Sequence, residues 1–239
     1  MQGFIATSRY YADFMSAYLR IPRDRIEVVY PGINLKGHGR TRSASVRSDG
    51  PLTIGYFARI CPEKGFHQLV DAFIHLRALP NAPPCRLLAS GWLGKNNAGY
   101  MVDQIEKLRN ANLLDNFEHI QSPDHAGKVR FLQSLDVLSV PTTYREPKGI
   151  YILEAWANGV PVVQPAHGSF PELIEATRGG VLVKPEDPEA LAHALRDLLN
   201  DAEKRRSMGQ LGHDAVHARF DAATMAQETT RIYERFVPR

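Results

Sequence analysis

The stretch from Asp136 to Val163 constrains this chain more than any other. Asp136-Val-Leu-Ser-Val-Pro141 is an apolar run closed by a turn cluster, so a strand enters a loop there. A short helix follows over Ile150 to Asn158; Gly149 permits a tight approach before it, and Gly159 supplies its C-terminal stop. Val160 to Val163 then restarts a strand. Strand, loop, helix and strand in that order make one parallel crossover unit. In open parallel sheets ligands sit beyond the carboxyl ends of the strands, where such loops lie.

The same alternation recurs on both sides of this unit. Phe4 to Thr7 reads as a strand, Ser8 caps a helix through Leu19, and Ile26 to Tyr30 is a second strand ended by Pro31-Gly32. Leu52 to Ala58 is a strand and Arg59 to Gly65 the loop after it. Phe66, Leu69, Val70, Phe73 and Leu76 then keep helical spacing. Arg86 to Ser90 and Phe117 to Gln121 read as strands, Gly99 to Asn110 and His125 to Ser134 as helices. Past the crossover unit come a helix at Ser169 to Ala176 and a strand at Gly180 to Val183. Asp187-Pro188 opens a helix whose inner face is Leu191, Leu195, Leu198 and Leu199, and helices over Ala202 to Arg219 and Ala222 to Phe236 follow. Lys36 to Gly50, rich in Gly, Ser and Arg, has no periodicity and reads as an exposed loop with Arg40, Arg42 and Arg47 solvated. The pattern predicts an α/β, Rossmann-like and mostly parallel sheet with helices on both faces.

Composition removes several classes. A net charge of +3, with no basic stripe interleaved by aromatics, is not a nucleic-acid signature. Two cysteines, Cys61 and Cys85, are too few for a disulfide framework, so a reducing compartment and a cytoplasmic location are expected. No apolar run is long enough for a membrane-spanning helix, although peripheral membrane contact is compatible with that. The Gly-x-Gly-x-x-Gly fingerprint of dehydrogenases is missing. His213-Asp-Ala-Val-His217 has the spacing of a zinc-binding helix, but Asp stands where Glu is usual and no third ligand is evident; it reads as an exposed helix face, and no metal is expected. Trp92 and Trp156 read as core or groove-wall residues, and Cys61 as a packing or surface thiol with no base beside it.

What remains is the loop after Val140. It carries Glu146, and Glu154 lies about one turn into the following helix, so both carboxylates are expected to reach one cleft. Between them the first N–H groups of that helix, on Ile150 and Tyr151, form an end of the kind that holds phosphate. Arg59 and Lys64 flank the loop after the Leu52 strand and would emerge at the same sheet edge, a planar fork and a point charge suited to a diphosphate. His125 and His167 each fall in a loop at that edge.

At this point the chain resembles the nucleotide-sugar-binding half of the retaining group 1 (family 4-type) glycosyltransferases, which have the GT-B architecture of two Rossmann-like domains. The resemblance rests on Ile26 to Asn34, Gly55-Tyr-Phe-Ala-Arg59 with Lys64-Gly65, Asp136 to Pro141, Glu146 to Glu154, Ala157 to Val163, and Gly168-Ser-Phe-Pro-Glu172 before Gly180 to Val183. It implies that Arg59 and Lys64 clamp a diphosphate without a metal, that Glu154 holds ribose hydroxyls, and that Glu146 orients the donor sugar. Gly149, Ile150 and Tyr151 would offer backbone contacts to the phosphate, with Lys148 and His125 also on the donor. The implied donor is a nucleoside-diphosphate sugar, a UDP-sugar ahead of a GDP-sugar, and no cofactor. Pro147-Lys148 stands where family members usually have an aromatic. The resemblance further assigns residues 1–21 to a crossover of the N-terminal acceptor domain, 22–220 to donor binding, and 221–239 to a helix crossing back. The acceptor domain itself is expected to be missing, the chain alone to be inactive, and an apolar patch near Tyr10, Tyr11 and the last helix to favour self-association. Readings from other classes are a nucleotide-sugar epimerase and a non-catalytic sugar-nucleotide-binding module.

Overall fold

The computed structural model describes residues 3–39, 50–121 and 123–236. Strands β1 (Phe4–Ala6) and β2 (Ile26–Val28) pair in parallel and are joined through helix α1 (Arg9–Leu19). They do not join the main sheet, as a single alternating pattern would suggest; they form a separate ribbon with its own small core of Ala6, Ala12 and Ile26. The main sheet contains β3 (Leu52–Phe57), β4 (Cys85–Gly91), β5 (Phe117–Gln121), β6 (Val137–Leu138), β7 (Val162–Pro165) and β8 (Gly180–Val183). All its pairs are parallel, in the order β5-β4-β3-β6-β7-β8. The chain therefore runs outward from β3 to β5, returns to the centre at β6, and runs outward the other way.

The crossovers are α2 (Phe66–Ala78), α3 (Ala98–Asn110), α4 (His125–Gln133), α5 (Ile150–Ala157) and α6 (Phe170–Thr177), followed by α7 (Pro188–Asn200), α8 (Ala202–Arg219) and α9 (Ala222–Glu234). Right-handed crossovers running in opposite directions put their helices on opposite faces of the sheet. α2 accordingly packs against α7, and α5 against α8. The apolar residues expected on α2, Phe66, Leu69, Val70, Phe73 and Leu76, are all buried. Trp156 of α5 is fully buried and its Nε1 donates to the Gly179 carbonyl at 2.8 Å, whereas Trp92 is 59% exposed.

Two strands differ from their expected extents. β6 is only two residues long, although Asp136 N and Ser139 N still donate to the carbonyls of Thr53 and Gly55, both at 2.9 Å. The strand after α5 begins at Val162 because Pro161 has no N–H to give the ladder. Its carbonyl still accepts from Leu138 N at 3.0 Å.

α9 leaves the main sheet and returns to the ribbon. Ile33 N donates to Phe220 O and Ala222 N to Ile33 O, tying the chain after β2 to the start of α9. Near the other end of α9, Arg235 Nη2 lies 2.6 Å from Glu27 Oε1 of β2. α1 and the end of α9 expose Phe14, Tyr18, Leu19, Tyr233 and Phe236; Tyr10 and Tyr11 are themselves half-buried, Tyr11 against the ribbon core. Both cysteines are buried and free, and no helix among the described residues is long and apolar enough to cross a membrane. Because the buried indole joins α5 to the Gly179 turn, Trp156→Ala is expected to cost about 3–5 kcal/mol of stability, read as a lower urea midpoint.

Candidate functional site

The carboxyl ends of β3 and β6 lie side by side, so the loops that leave them meet. After β3 a 3₁₀ turn over Pro62–Lys64 ends at Gly65, which has φ +70°. A Cβ on Gly65 would lie 1.8 Å from the Pro141 carbonyl oxygen, so only glycine lets the two loops close. Thr143 N adds a bond to Glu63 O at 3.1 Å.

This close approach delivers Lys64 to Glu146. The ammonium Nζ is 2.6 Å from Glu146 Oε2 and 2.5 Å from the Tyr144 hydroxyl, and it sits 4.9 and 5.1 Å from the ring centres of Tyr144 and Tyr151. Tyr144 donates to the same Glu146 oxygen at 2.5 Å, Tyr151 lies within 3.4 Å of it, and the backbone N–H of Lys148 reaches Oε1 at 3.2 Å. Glu146 is 5% exposed. Burial pushes its carboxyl up, but the hydrogen bonds from Lys64 and Tyr144 and the Lys64 charge outweigh burial and hold it below its ordinary value. The Tyr144 hydroxyl is pushed up, by burial first and then by donating to Glu146.

Gly149 precedes α5 in the left-handed region, at φ +64°, and no side chain caps this helix. The leading N–H groups, on Ile150 and Tyr151, therefore have no side-chain acceptor among the described residues. Glu154, on the same helix, pairs with Lys128 of α4 at 2.5 Å, and both side chains are largely buried. Glu146 thus precedes α5 and Glu154 lies about one turn into it, each with its own ammonium. Arg59 and Lys148 are exposed at the two loops.

His125 Nε2 lies 2.8 Å from the Lys36 carbonyl, and its ring packs edge-on to His38 at 5.6 Å. Asn158 Nδ2 donates to His38 Nδ1 and to the Glu154 carbonyl, both at 2.8 Å. Burial, then the charges of Lys128, His125 and His217, push His38 down to about 4. The start of the segment expected to be an exposed loop is thus packed on α4 and α5; Arg40, Arg42 and Arg47 lie outside the described residues. His167 Nε2 lies 2.9 Å from Thr142 O. His213 and His217 stack at 4.1 Å, and no group of three metal-ligating side chains occurs among the described residues.

The corner between β1 and α1 touches the Glu146 loop directly. Thr7 Oγ1 and Ser8 Oγ donate to the Pro147 carbonyl at 3.2 and 2.9 Å. Glu172 of α6, 8% exposed, accepts from Arg9 N and Tyr10 N at 3.0 Å, from Arg9 Nε at 3.1 Å and from the Tyr30 hydroxyl at 2.7 Å. It caps α1 across the molecule. Sequence reasoning missed Lys128, Tyr144 and this role of Glu172. Tyr144, two residues from Glu146, carried a local signal; Lys128 is on a different helix from Glu154 and carried none.

The family model described as glycosyl transferases group 1 matches residues 39–214. The D-inositol 3-phosphate glycosyltransferase of Corynebacterium efficiens is 31% identical over 240 residues, which are 96% of this chain and 55% of that protein. The structure of Anabaena HepE in complex with UDP superposes with a TM-score of 0.85 at 22% identity, covering 98% of this chain and 64% of that one. The C-terminal domain of a group 1 family protein, LpcC, from Francisella tularensis superposes at 0.69 with 23% identity, covering 80% of this chain and all of that one. The chain spans 42–64% of the length of the first curated relatives it matches.

The depressed Glu146 carboxyl has a pH consequence. Its contribution to stability is fully present above its ordinary value of 4.5 and is lost as pH falls through the lower folded value. The stability advantage of the native protein over Glu146→Gln is therefore expected to shrink progressively below about pH 4.5, as followed by urea unfolding across the acid range.

Proposed function

The chain belongs to the group 1 glycosyl transferases, and we propose that it is the donor-binding part of a retaining enzyme that moves a sugar from a nucleoside-diphosphate sugar to an acceptor hydroxyl. The observation that carries this reading is the uncapped N-terminus of α5 between the pairs Lys64–Glu146 and Lys128–Glu154. A diphosphate set on the helix end gains its N–H groups and the positive end of its dipole. Lys64 and the exposed Arg59 would complete the charge around it, Glu146 would hold hydroxyls of the sugar, and Glu154 those of the ribose. The bond from the anomeric carbon to the phosphate oxygen breaks, the acceptor oxygen takes its place on the same face, and the acceptor proton leaves with the departing phosphate. Preorganised charge on the leaving group is then the main catalytic contribution, and neither a metal nor a protein nucleophile takes part.

The return of α9 to the β1–β2 ribbon supports a domain reading. The ribbon, α1 and α9 would form the seam with an acceptor-binding domain, and the exposed Phe14, Tyr18, Tyr233 and Phe236 would be covered there or by self-association. The match to a C-terminal domain crystallised by itself is consistent with a donor domain that folds alone.

Calorimetric titration of this chain with UDP, GDP and ADP tests the reading. Saturable binding of one diphosphate, UDP foremost, is expected, weakened about tenfold or more by Glu154→Ala and by the paired Arg59→Ala and Lys64→Ala changes. Little or no sugar transfer is expected from the chain alone, because no acceptor is held against the anomeric carbon. Binding unaffected by these substitutions, or rapid turnover by the monomer, contradicts the reading.

A further inference from the structure

The pairing of Lys128 with Glu154 points to a property of the nucleotide site that the donor role of Glu154 does not itself require. Glu154 is on α5, where the side chain would be free to choose among rotamers. Lys128 removes that freedom by reaching across from α4 to Oε1 at 2.5 Å, with side-chain exposures of 22% and 12%. Among the described residues nothing donates to Oε2. The ammonium is itself confined. It stands close to half-buried His38, which accepts from Asn158, and His38 and His125 pack against each other beside it. Asn158 in turn donates to the Glu154 carbonyl. One oxygen of Glu154 is thus held by a partly buried charge, and the other is left as an acceptor on a carboxylate of fixed orientation.

We infer that Lys128 is a specificity-determining positioning residue that fixes Glu154 as a hydroxyl acceptor and so selects ribonucleoside over 2′-deoxyribonucleoside diphosphate donors. The inference rests on the reading of Glu154 as the ribose carboxylate. An acceptor that is oriented and partly desolvated before the ligand arrives gains a full charge-assisted hydrogen bond from a hydroxyl and is left unsatisfied when the hydroxyl is missing. Sites built in this way discriminate against the analogue that lacks the group far more strongly than apolar pockets do. A carboxylate free to turn to water loses most of that penalty. Lys128 therefore controls the ratio of affinities for the two sugars more than it controls affinity for the diphosphate.

The test titrates the full chain with three pairs of ligands, UDP and 2′-deoxy-UDP, GDP and 2′-deoxy-GDP, and ADP and 2′-deoxy-ADP. The proteins are the native chain, Lys128→Met, Lys128→Arg and Glu154→Gln, with urea unfolding of each to compare stability. For the base that binds, the native chain is expected to prefer the ribonucleotide by about tenfold or more. Lys128→Met should bring that ratio close to one, while Lys128→Arg, which keeps the charge, retains most of it. A simple loss of fold would weaken both ligands in parallel and leave the ratio standing. A native ratio near one, or a native-like ratio in Lys128→Met, overturns the inference while leaving the diphosphate site intact. Failure of the native chain to bind any of the six ligands removes the donor-site reading and this inference together.

Discussion

Everything at the proposed site depends on one topological constraint, the reversal of chain direction across the sheet between β3 and β6. When parallel strands with right-handed crossovers are laid outward from a centre in two directions, the helices that follow the two central strands go to opposite faces of the sheet. β3 and β6 are these two strands, so the Lys64 loop and the Glu146 loop leave the sheet side by side. Gly65 then lets the loops close against each other to backbone contact. The meeting of these loops is a result of strand order, and the side chains only give it chemistry.

That chemistry consists of two carboxylates, each matched by an ammonium in a partly dry setting. Such pairs contribute little net stability, because desolvation cancels most of the attraction, yet removing one partner strands the other charge at a cost of about 3–5 kcal/mol. Their value is in organisation. Lys64 is held by Glu146, Tyr144 and two aromatic rings, and an incoming phosphate must compete with Glu146 for it. Lys128 has no such competitor in view and acts through Glu154 alone. The two pairs look alike in composition and differ in what a ligand would do to them.

Much of this was legible in the residue order. The crossover unit after Asp136, the apolar faces of α2 and α7, and the tight approach at Gly149 before α5 all follow from period, punctuation and capping, which act over a few residues. What escaped has a common cause. The separation of the β1–β2 ribbon, the capping of α1 by Glu172 and the pairing of Lys128 with Glu154 are contacts between distant segments, set by packing and leaving no local pattern. His38 shows the same effect in reverse: it belongs to a polar stretch read as solvated, and the proximity of α4 and α5 made it half-buried.

The corner between β1 and α1 also bears on how the molecule assembles. Its anchors on the rest of the protein join residues 139 to 166 positions apart, from Ser8 with Pro147 to Arg9 with Glu175. Contacts of that span must wait until the intervening chain has ordered, since closing so long a loop gains nothing until its partners exist. During synthesis α1 emerges before Glu172, which follows only after roughly ten to thirty seconds at ordinary ribosomal rates. For that interval the helix that carries the stacked Tyr10, Phe14 and Tyr18 lacks the Glu172 carboxylate and is held only by its Ser8 cap and the small ribbon core. The long-range anchors of α1 are thus among the last contacts of the ribbon to form, and they come only once the sheet that lies between Arg9 and Glu172 has been translated.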